Sequence, residues 1–74
     1  MSYSTEILAE IRAEMGRKKV GVGELSRRTG IPQTRLHRRF HRNVPLSTDE
    51  LTAIAVALGT TASEILARAE EAAA

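Results

Sequence analysis

The residues best suited to chemistry lie in one basic run near the middle of the chain, residues 33–42, with the sequence QTRLHRRFHR. Only Leu36 and Phe40 in this run are large and apolar, and their i and i+4 spacing puts them on one face of a helix. The other side chains carry amide, hydroxyl, imidazole and guanidinium groups, which read base edges and bind phosphates in duplex DNA. The run therefore predicts a helix whose polar side enters the major groove.

Helical geometry divides the polar side of this run into two sets. With Leu36 and Phe40 turned toward the core, the residues nearest the groove floor are expected to contact bases, and these are Gln33, Thr34, His37 and Arg38. Arg38 is expected to bind guanine O6 and N7 with two parallel hydrogen bonds. The arginines that diverge toward the groove walls are expected to bind phosphates, and these are Arg35, Arg39 and Arg42.

Positive charge is concentrated in the part of the chain around this run. Residues 12–42 contain ten of the eleven Lys and Arg residues and only two Glu, so this segment carries +8. Residues 1–11 carry −2 and residues 43–74 carry −4, which together leave the net charge of +2. This segregation favours a nucleic-acid-binding surface over a solvated basic face without a partner.

Other uses of the same residues fit their spacing less well. His37 and His41 have the i and i+4 spacing of two metal ligands, but the sequence has no cysteine and no third histidine, so we predict no metal site. No Ser, Thr or acidic residue forms a nucleophile–base set with these histidines, so we predict neither an enzyme nor a cofactor nor a small-molecule substrate. The apolar face made by Leu36 and Phe40 is too small to anchor the run in a membrane.

The elements that position this run are predicted to be helices, because the chain is rich in Ala, Leu, Glu and Arg and has no alternating strand pattern. We expect an all-α fold, with five helices in one compact domain over residues 1–74. Helix one is expected from about Ser4, as N-cap, to Lys18, and helix two from near Gly21 to Thr29–Gly30. The residues that these two helices are expected to bury are Ile7, Leu8, Ile11, Met15 and Leu25.

The break between helices two and three is expected at Ile31 and Pro32. The residue before a proline is driven out of the α region, whereas proline itself is tolerated in the first turn of a helix. Helix three is therefore expected to span about Pro32–Arg42. Two short helices joined by a tight, glycine-containing turn form a helix-turn-helix, and helix three is its second helix.

Helices four and five are each expected to begin with a capping box, at Ser47–Glu50 and Thr61–Glu64. Helix four is expected to end at Gly59. The residues that these helices are expected to bury are Leu51, Ile54, Ala55 and Leu58 in helix four, and Ile65 and Leu66 in helix five. After Arg68, residues 69–74 have no apolar side chain larger than alanine, so we expect a frayed tail or the start of a linker.

The arrangement of these helices resembles the phage-repressor and Cro-like (Xre-type) helix-turn-helix family, and the resemblance extends from about Ile7 to Leu66. The motifs that carry it are LSRRTGI at residues 25–31, Leu36, and Leu51 followed by IAVALG at residues 54–59. The resemblance implies a five-helix, lambda-repressor-like domain whose third helix enters the major groove. It also implies a transcriptional regulator, most often a repressor, that binds a partly palindromic double-stranded operator as a homodimer.

The start of helix two departs from the family pattern. Val22 stands where many members have a glutamine that holds a phosphate. The backbone amides at this positive helix end, those of Val22, Gly23 and Glu24, are expected to hold a phosphate instead. Lys18 and Lys19 are expected to assist them.

Two further departures concern the turn and the recognition helix. Ser26 replaces a tightly packed alanine, and its hydroxyl needs a backbone acceptor. Arg39 and Phe40 stand where the family more often has an apolar residue and a glutamate. A recognition helix rotated from the common pose is therefore an alternative to the base contacts given above.

Two functions of different classes fit these observations. One is sequence-specific binding of double-stranded DNA by a regulator in the cytoplasm of a bacterial or phage-infected bacterial cell. The other is an antitoxin or adaptor module with the same fold that acts mainly through protein–protein contacts. No segment approaches the roughly 20 apolar residues of a membrane span, so we expect no membrane association. The operator sequence, the sign of regulation and the oligomeric state stay open.

Overall fold

Five helices follow one another along residues 3–74, the part of the chain that the computed structural model describes. In chain order they are α1 (Tyr3–Lys18), α2 (Val22–Thr29), α3 (Gln33–Arg42), α4 (Thr48–Ala57) and α5 (Ala62–Ala73). No strand occurs within these residues, so the all-α, five-helix prediction is confirmed. The first two residues of the predicted domain lie outside the described part.

The predicted starts of α1 and α3 need small corrections. Ser4 is not the N-cap of α1, because the helix already includes Tyr3. Pro32 is the N-cap of α3 rather than its first residue, since its ψ of 141° is not helical. Its carbonyl oxygen still accepts hydrogen bonds from the amides of Arg35 and Leu36, at 3.0 and 3.1 Å. Proline therefore starts α3 as expected, one position outside the helix.

The core lies between α1 and α5 on one side and α2 to α4 on the other. The largest fully buried side chains are Leu8, Ile11, Leu25, Leu36, Ile54, Leu58 and Ile65. Burying each of them contributes about 1.5–3 kcal/mol relative to exposure. Ile7 and Leu51 are only half-buried at the edge of this core, and Leu66 is half-buried as well, so the predicted core is confirmed at its centre and partly exposed at its rim.

The turn between α2 and α3 is fixed by one glycine and two hydroxyl groups. Gly30 adopts a left-handed conformation with φ of 78°, and its amide donates to the carbonyl of Ser26 at 2.8 Å. The Ser26 hydroxyl donates to the carbonyl of Ile31 at 2.6 Å, which is the backbone acceptor that the sequence required. The Thr29 hydroxyl accepts from the Ile31 amide at 3.1 Å. These bonds set the angle at which α3 leaves α2.

The capping boxes differ between α4 and α5. In α4, the Ser47 hydroxyl accepts from the Glu50 amide at 3.0 Å while the Glu50 carboxylate accepts from the Ser47 amide at 2.9 Å, so both halves form. In α5, the Thr61 hydroxyl accepts from the Glu64 amide at 3.1 Å. The Glu64 carboxylate turns instead to Arg68, at 3.2 Å, so only the first half of the second predicted box is formed.

The C-terminal segment that we expected to fray continues α5 as far as Ala73. Ala69 is fully buried, because an alanine is small enough for α5 to lie close along α1. The Tyr3 hydroxyl adds hydrogen bonds to the carbonyl of Leu66 and the carboxylate of Glu70, each at 3.2 Å. Close packing and these bonds replace the large apolar anchor that the segment lacks.

Ion pairs also connect α1 to α5. Arg68 lies 3.5 Å from the carboxylate of Glu10 and 3.4 Å from that of Glu14, and Arg17 lies 2.7 Å from both. The hydrogen bond from Arg17 lowers the pKa of the Glu14 carboxyl below its ordinary value.

Within residues 3–74, no single helix is long and apolar enough to cross a membrane. Taken together, α4 and α5 are long and apolar enough, but they meet at an angle of 101°.

Candidate nucleic-acid interface

One side of α3 is anchored in the core. Leu36 is 0% exposed and Phe40 is 5% exposed, so the prediction that both face inward is confirmed. The guanidinium of Arg12 in α1 lies 5.4 Å from the centre of the Phe40 ring and donates a hydrogen bond to the Phe40 carbonyl. The core contacts and Arg12 together fix the rotation of α3 about its axis.

The opposite side of α3 is open to solvent. All four residues predicted to contact bases are exposed there, namely Gln33, Thr34, His37 and Arg38. Their helical spacing places them on one broad face together with His41, whose ring stacks on that of His37 with centroids 5.8 Å apart and planes at 12°. Within residues 3–74, no group of three His, Cys, Asp or Glu side chains is placed to hold a metal ion. The structure thus brings the four predicted base-reading residues together on one surface.

The side chain of Gln33 lies over the first turn of α2. A Cβ atom added to Gly23 would be 3.1 Å from the Gln33 amide nitrogen, Nε2. This separation is tighter than ordinary van der Waals contact, so the bare backbone at Gly23 is what leaves room for Gln33. The sequence showed both residues but gave no sign of this contact, because it arises from the angle between α2 and α3.

The N-terminal end of α2 presents free backbone donors. Its N-cap, Gly21, has no side chain to bond the first amides of the helix. Val22 is half-buried and Gly23 is exposed, and their amides point out of the helix end, where a phosphate is favoured. Lys19, with φ of 55°, is exposed just before this end. The start of α2, where we predicted a phosphate, therefore has backbone amides without a side-chain cap and an exposed lysine beside them.

Lys18 differs from Lys19, because it already has partners within the protein. Its Nζ donates to the carbonyl of Leu58 at the end of α4 and lies 3.3 Å from the Glu14 carboxylate. A cation at the C-terminal end of a helix is stabilised by the helix dipole. Lys18 therefore connects α1 to α4, and a contact with DNA would require it to give up these bonds.

The three arginines predicted to bind phosphates differ in their surroundings. Arg42 is exposed in the last turn of α3, and the Arg35 side chain is 52% exposed. The Arg39 side chain is only 25% exposed, its Nη2 donates to the Glu50 carboxylate at 3.4 Å, and its Nε is buried without a partner. Arg35 and Arg42 are therefore open to a ligand, whereas Arg39 is held against α4.

Glu50 is the residue near this surface that sequence reasoning did not connect to it. Burial raises the pKa of the Glu50 carboxyl, but the hydrogen bond from the Ser47 amide and the charge of Arg39 outweigh that effect and lower the pKa overall. Glu50 is therefore ionised at neutral pH. The only signal in the sequence was its place in the capping box. The capping box uses one carboxylate oxygen of Glu50 as an acceptor, and the other oxygen can accept a hydrogen bond from α3.

An open cleft of about 300 Å³ borders the same surface where α1, α2 and α3 meet. The residues that line it are Arg12, Met15, Val22, His37, Phe40 and His41. His37 lies on the cleft rim and on the exposed face of α3. The cleft is thus continuous with the surface formed by α3 and the start of α2.

Two short helices at a fixed angle, with a polar and basic second helix exposed on its outer side, define a helix-turn-helix DNA-binding protein. Comparison with protein families matches residues 10–71 to the Cro/C1-type HTH DNA-binding domain. The match covers most of the chain, and the protein belongs to this family. The suspected Cro-like resemblance is therefore confirmed. Comparisons with curated proteins and with solved structures give no match.

Proposed function

We propose that this protein is a transcriptional repressor that inserts α3 into the major groove of an operator. Membership of the Cro/C1-type family supports sequence-specific DNA binding by a regulator. The observation that carries the proposal is the exposure of Gln33, Thr34, His37 and Arg38 on a helix whose other side is held by Leu36 and Phe40. Repression requires only that the bound protein occupy its site, so no effector-binding site is needed for it.

The proposed contacts divide into bases and phosphates. The side chains of Gln33, Thr34, His37 and Arg38 contact base edges, and Arg38 binds a guanine with two hydrogen bonds. The phosphate contacts come from the amides of Val22 and Gly23 and from the side chains of Lys19, Arg35 and Arg42. We leave Lys18 and Arg39 out of this set, because Lys18 is bound to both the Leu58 carbonyl and the Glu14 carboxylate and Arg39 is largely buried beside Glu50.

The proposed operator is partly palindromic and binds two copies of the chain. A helix-turn-helix dimer places its two recognition helices in successive major grooves about 34–36 Å apart, so the half-sites would lie one helical turn from each other. We place the protein in the cytoplasm of a bacterial or phage-infected bacterial cell, where such an operator is accessible. We propose no enzymatic activity, because occupancy alone accounts for this function.

An antitoxin or adaptor role is the alternative, and the described surface favours it less. Within residues 3–74, the large hydrophobic residues exposed to solvent are Tyr3, which is 42% exposed, and Val56, which is 70% exposed. They lie on different helices, α1 and α4. Isolated exposed hydrophobic residues are normal on a soluble protein and do not form a docking face. The exposed, basic side of α3 matches the charge and hydrogen-bonding groups of DNA more closely.

Selection from random duplexes, followed by binding titrations in increasing salt, tests the proposal. Three cationic side chains on phosphates should give a slope of log K against log salt of about −2.7 per protomer, because each contact contributes about −0.9. An enriched sequence with two related half-sites would support the dimer. A slope near zero would contradict DNA binding and favour the protein-binding alternative, and the absence of an enriched sequence would contradict sequence-specific recognition.

A further inference from the structure

One buried carboxylate performs two tasks at the junction of α3 and α4. Oε1 of Glu50 accepts from the Ser47 amide and completes the cap of α4. Oε2 of Glu50 accepts from Nη2 of Arg39 at 3.4 Å and lies 3.8 Å from Nη1 of Arg35. Only 10% of the Glu50 side chain is exposed. Both arginines belong to α3, so Glu50 connects the start of α4 to two successive turns of the recognition helix.

Arg39 depends on this carboxylate more than Arg35 does. The Nε of Arg39 is buried without a partner, so Glu50 is the carboxylate that compensates its charge. Arg35 is half-exposed and its distance to Glu50 is longer, so it can turn to a ligand without leaving a buried charge. Removal of the Glu50 charge would therefore drive Arg39 toward solvent, on the side of α3 that also carries the exposed Arg35 and Arg42.

We propose that Glu50 is a positioning residue for DNA recognition: it withholds Arg39 from the phosphates and fixes the orientation of α3 against α4. This inference rests on the proposed DNA binding by α3. A free Arg39 would add a phosphate contact to every duplex, which strengthens binding without reading sequence. Glu50 thereby limits the backbone contacts of α3. Its bonds to Arg39 and Arg35 also keep α3 in the orientation from which its exposed side chains discriminate between bases.

The Glu50→Gln variant separates this role from capping. Glutamine also completes a capping box, so the amide of Ser47 keeps its acceptor while Arg39 loses the opposite charge. The matched control is Ser47→Ala, which weakens the cap but leaves the carboxylate beside Arg39. A double variant, Glu50→Gln with Arg39→Met, removes the released side chain.

Each protein is titrated with the duplex selected by the wild type and with a scrambled duplex, between 50 and 200 mM salt, below the melting temperature of the least stable variant. For Glu50→Gln we expect a salt slope steeper by about 0.9, the value of one added phosphate contact. We also expect tighter binding to the scrambled duplex, because the added phosphate contact does not depend on sequence. Because α3 is no longer held in a fixed orientation against α4, we expect the selected-to-scrambled affinity ratio to fall about tenfold, as for one lost base contact. The double variant should return to the slope of the wild type.

Three results would overturn this role for Glu50. The first is a salt slope for Glu50→Gln equal to that of the wild type. The second is a salt slope for the double variant that stays as steep as that of Glu50→Gln. The third is a Ser47→Ala variant that changes the salt slope and the affinity ratio as Glu50→Gln does. The last result would mean that Glu50 acts only through the folding of α4. A wild type that selects no sequence and shows no salt dependence would instead refute the proposed function, and the role of Glu50 in it.

Discussion

Replacement of Gly23 by alanine should make the protein more stable and a weaker DNA binder. Gly23 lies in the first turn of α2 with a helical φ, so alanine is compatible with its backbone. The added Cβ would be 3.1 Å from the Gln33 Nε2, which is the far end of a flexible, exposed side chain. We expect Gln33 to move away while the backbone of α2 stays in place.

The two effects have different sizes and opposite signs. A glycine in a helix costs about 0.5–1 kcal/mol relative to alanine, so Gly23→Ala should raise the melting temperature by roughly 2–8 °C in a domain of this size. Displacement of Gln33 removes one base contact, and a good contact of this kind is worth about 1–3 kcal/mol. We therefore expect at least fivefold weaker binding to the selected duplex, with little change for a scrambled one.

Gly16→Ala is the matched control for this prediction. Gly16 lies in α1, and a Cβ added there would meet nothing within 4 Å. It should give a similar gain in melting temperature without a loss of affinity. Thermal melts and duplex titrations of both variants measure the two effects. If Gly23→Ala binds the selected duplex as tightly as Gly16→Ala does, Gln33 does not contact a base from its observed position.

Two further predictions concern stability. Truncation of a buried aromatic side chain costs about 3–5 kcal/mol, so Phe40→Ala should lower the melting temperature strongly and lose DNA binding only through unfolding; a variant that melts like the wild type but fails to bind would place Phe40 at the DNA. The folded pKa of Glu50 is lower than its ordinary value of 4.5, so its ionisation stabilises the fold above about pH 4.5 and this contribution is lost as the pH falls through the lowered pKa. Glu50→Gln should therefore lose less stability than the wild type on acidification below pH 4.5, and equal acid sensitivity in urea titrations would contradict this.

The sequence was sufficient to predict a structural feature where a single residue restricts the backbone conformation, or where the spacing of two residues determines which face of a helix is buried or which amides are capped. Gly30 was expected to end α2 because glycine adopts the left-handed conformation freely, and it has φ of 78°. Ser47 and Glu50 were expected to start α4 because their spacing lets each side chain accept a hydrogen bond from the other's amide, and both bonds form. The i and i+4 spacing of Leu36 and Phe40 fixed the inward face of α3. Each of these signals spans no more than five residues.

The sequence was insufficient where a side chain finds its partner on another helix. Arg39 looks like Arg35 and Arg42 in the sequence, and only the packing of α3 against α4 brings Glu50, 11 residues away, to its guanidinium. The same holds for Lys18, whose acceptor Leu58 is 40 residues away. The exposed face of α3 could therefore be predicted from the sequence, whereas the free and the internally paired cations could not be told apart.

We propose that α3 reads bases through Arg38 and holds phosphates through Arg42. These two roles are distinguished by the affinity of Arg38→Ala and Arg42→Ala for the selected duplex, for its single-base variants and for a scrambled duplex, across a range of salt. We expect Arg38→Ala to lose about 1–3 kcal/mol on the selected duplex and to relax preference at one base pair. Arg42→Ala should weaken all duplexes alike and make the salt slope shallower by about one. A uniform loss from Arg38→Ala, together with altered base preference from Arg42→Ala, would show that α3 presents a different face to the groove.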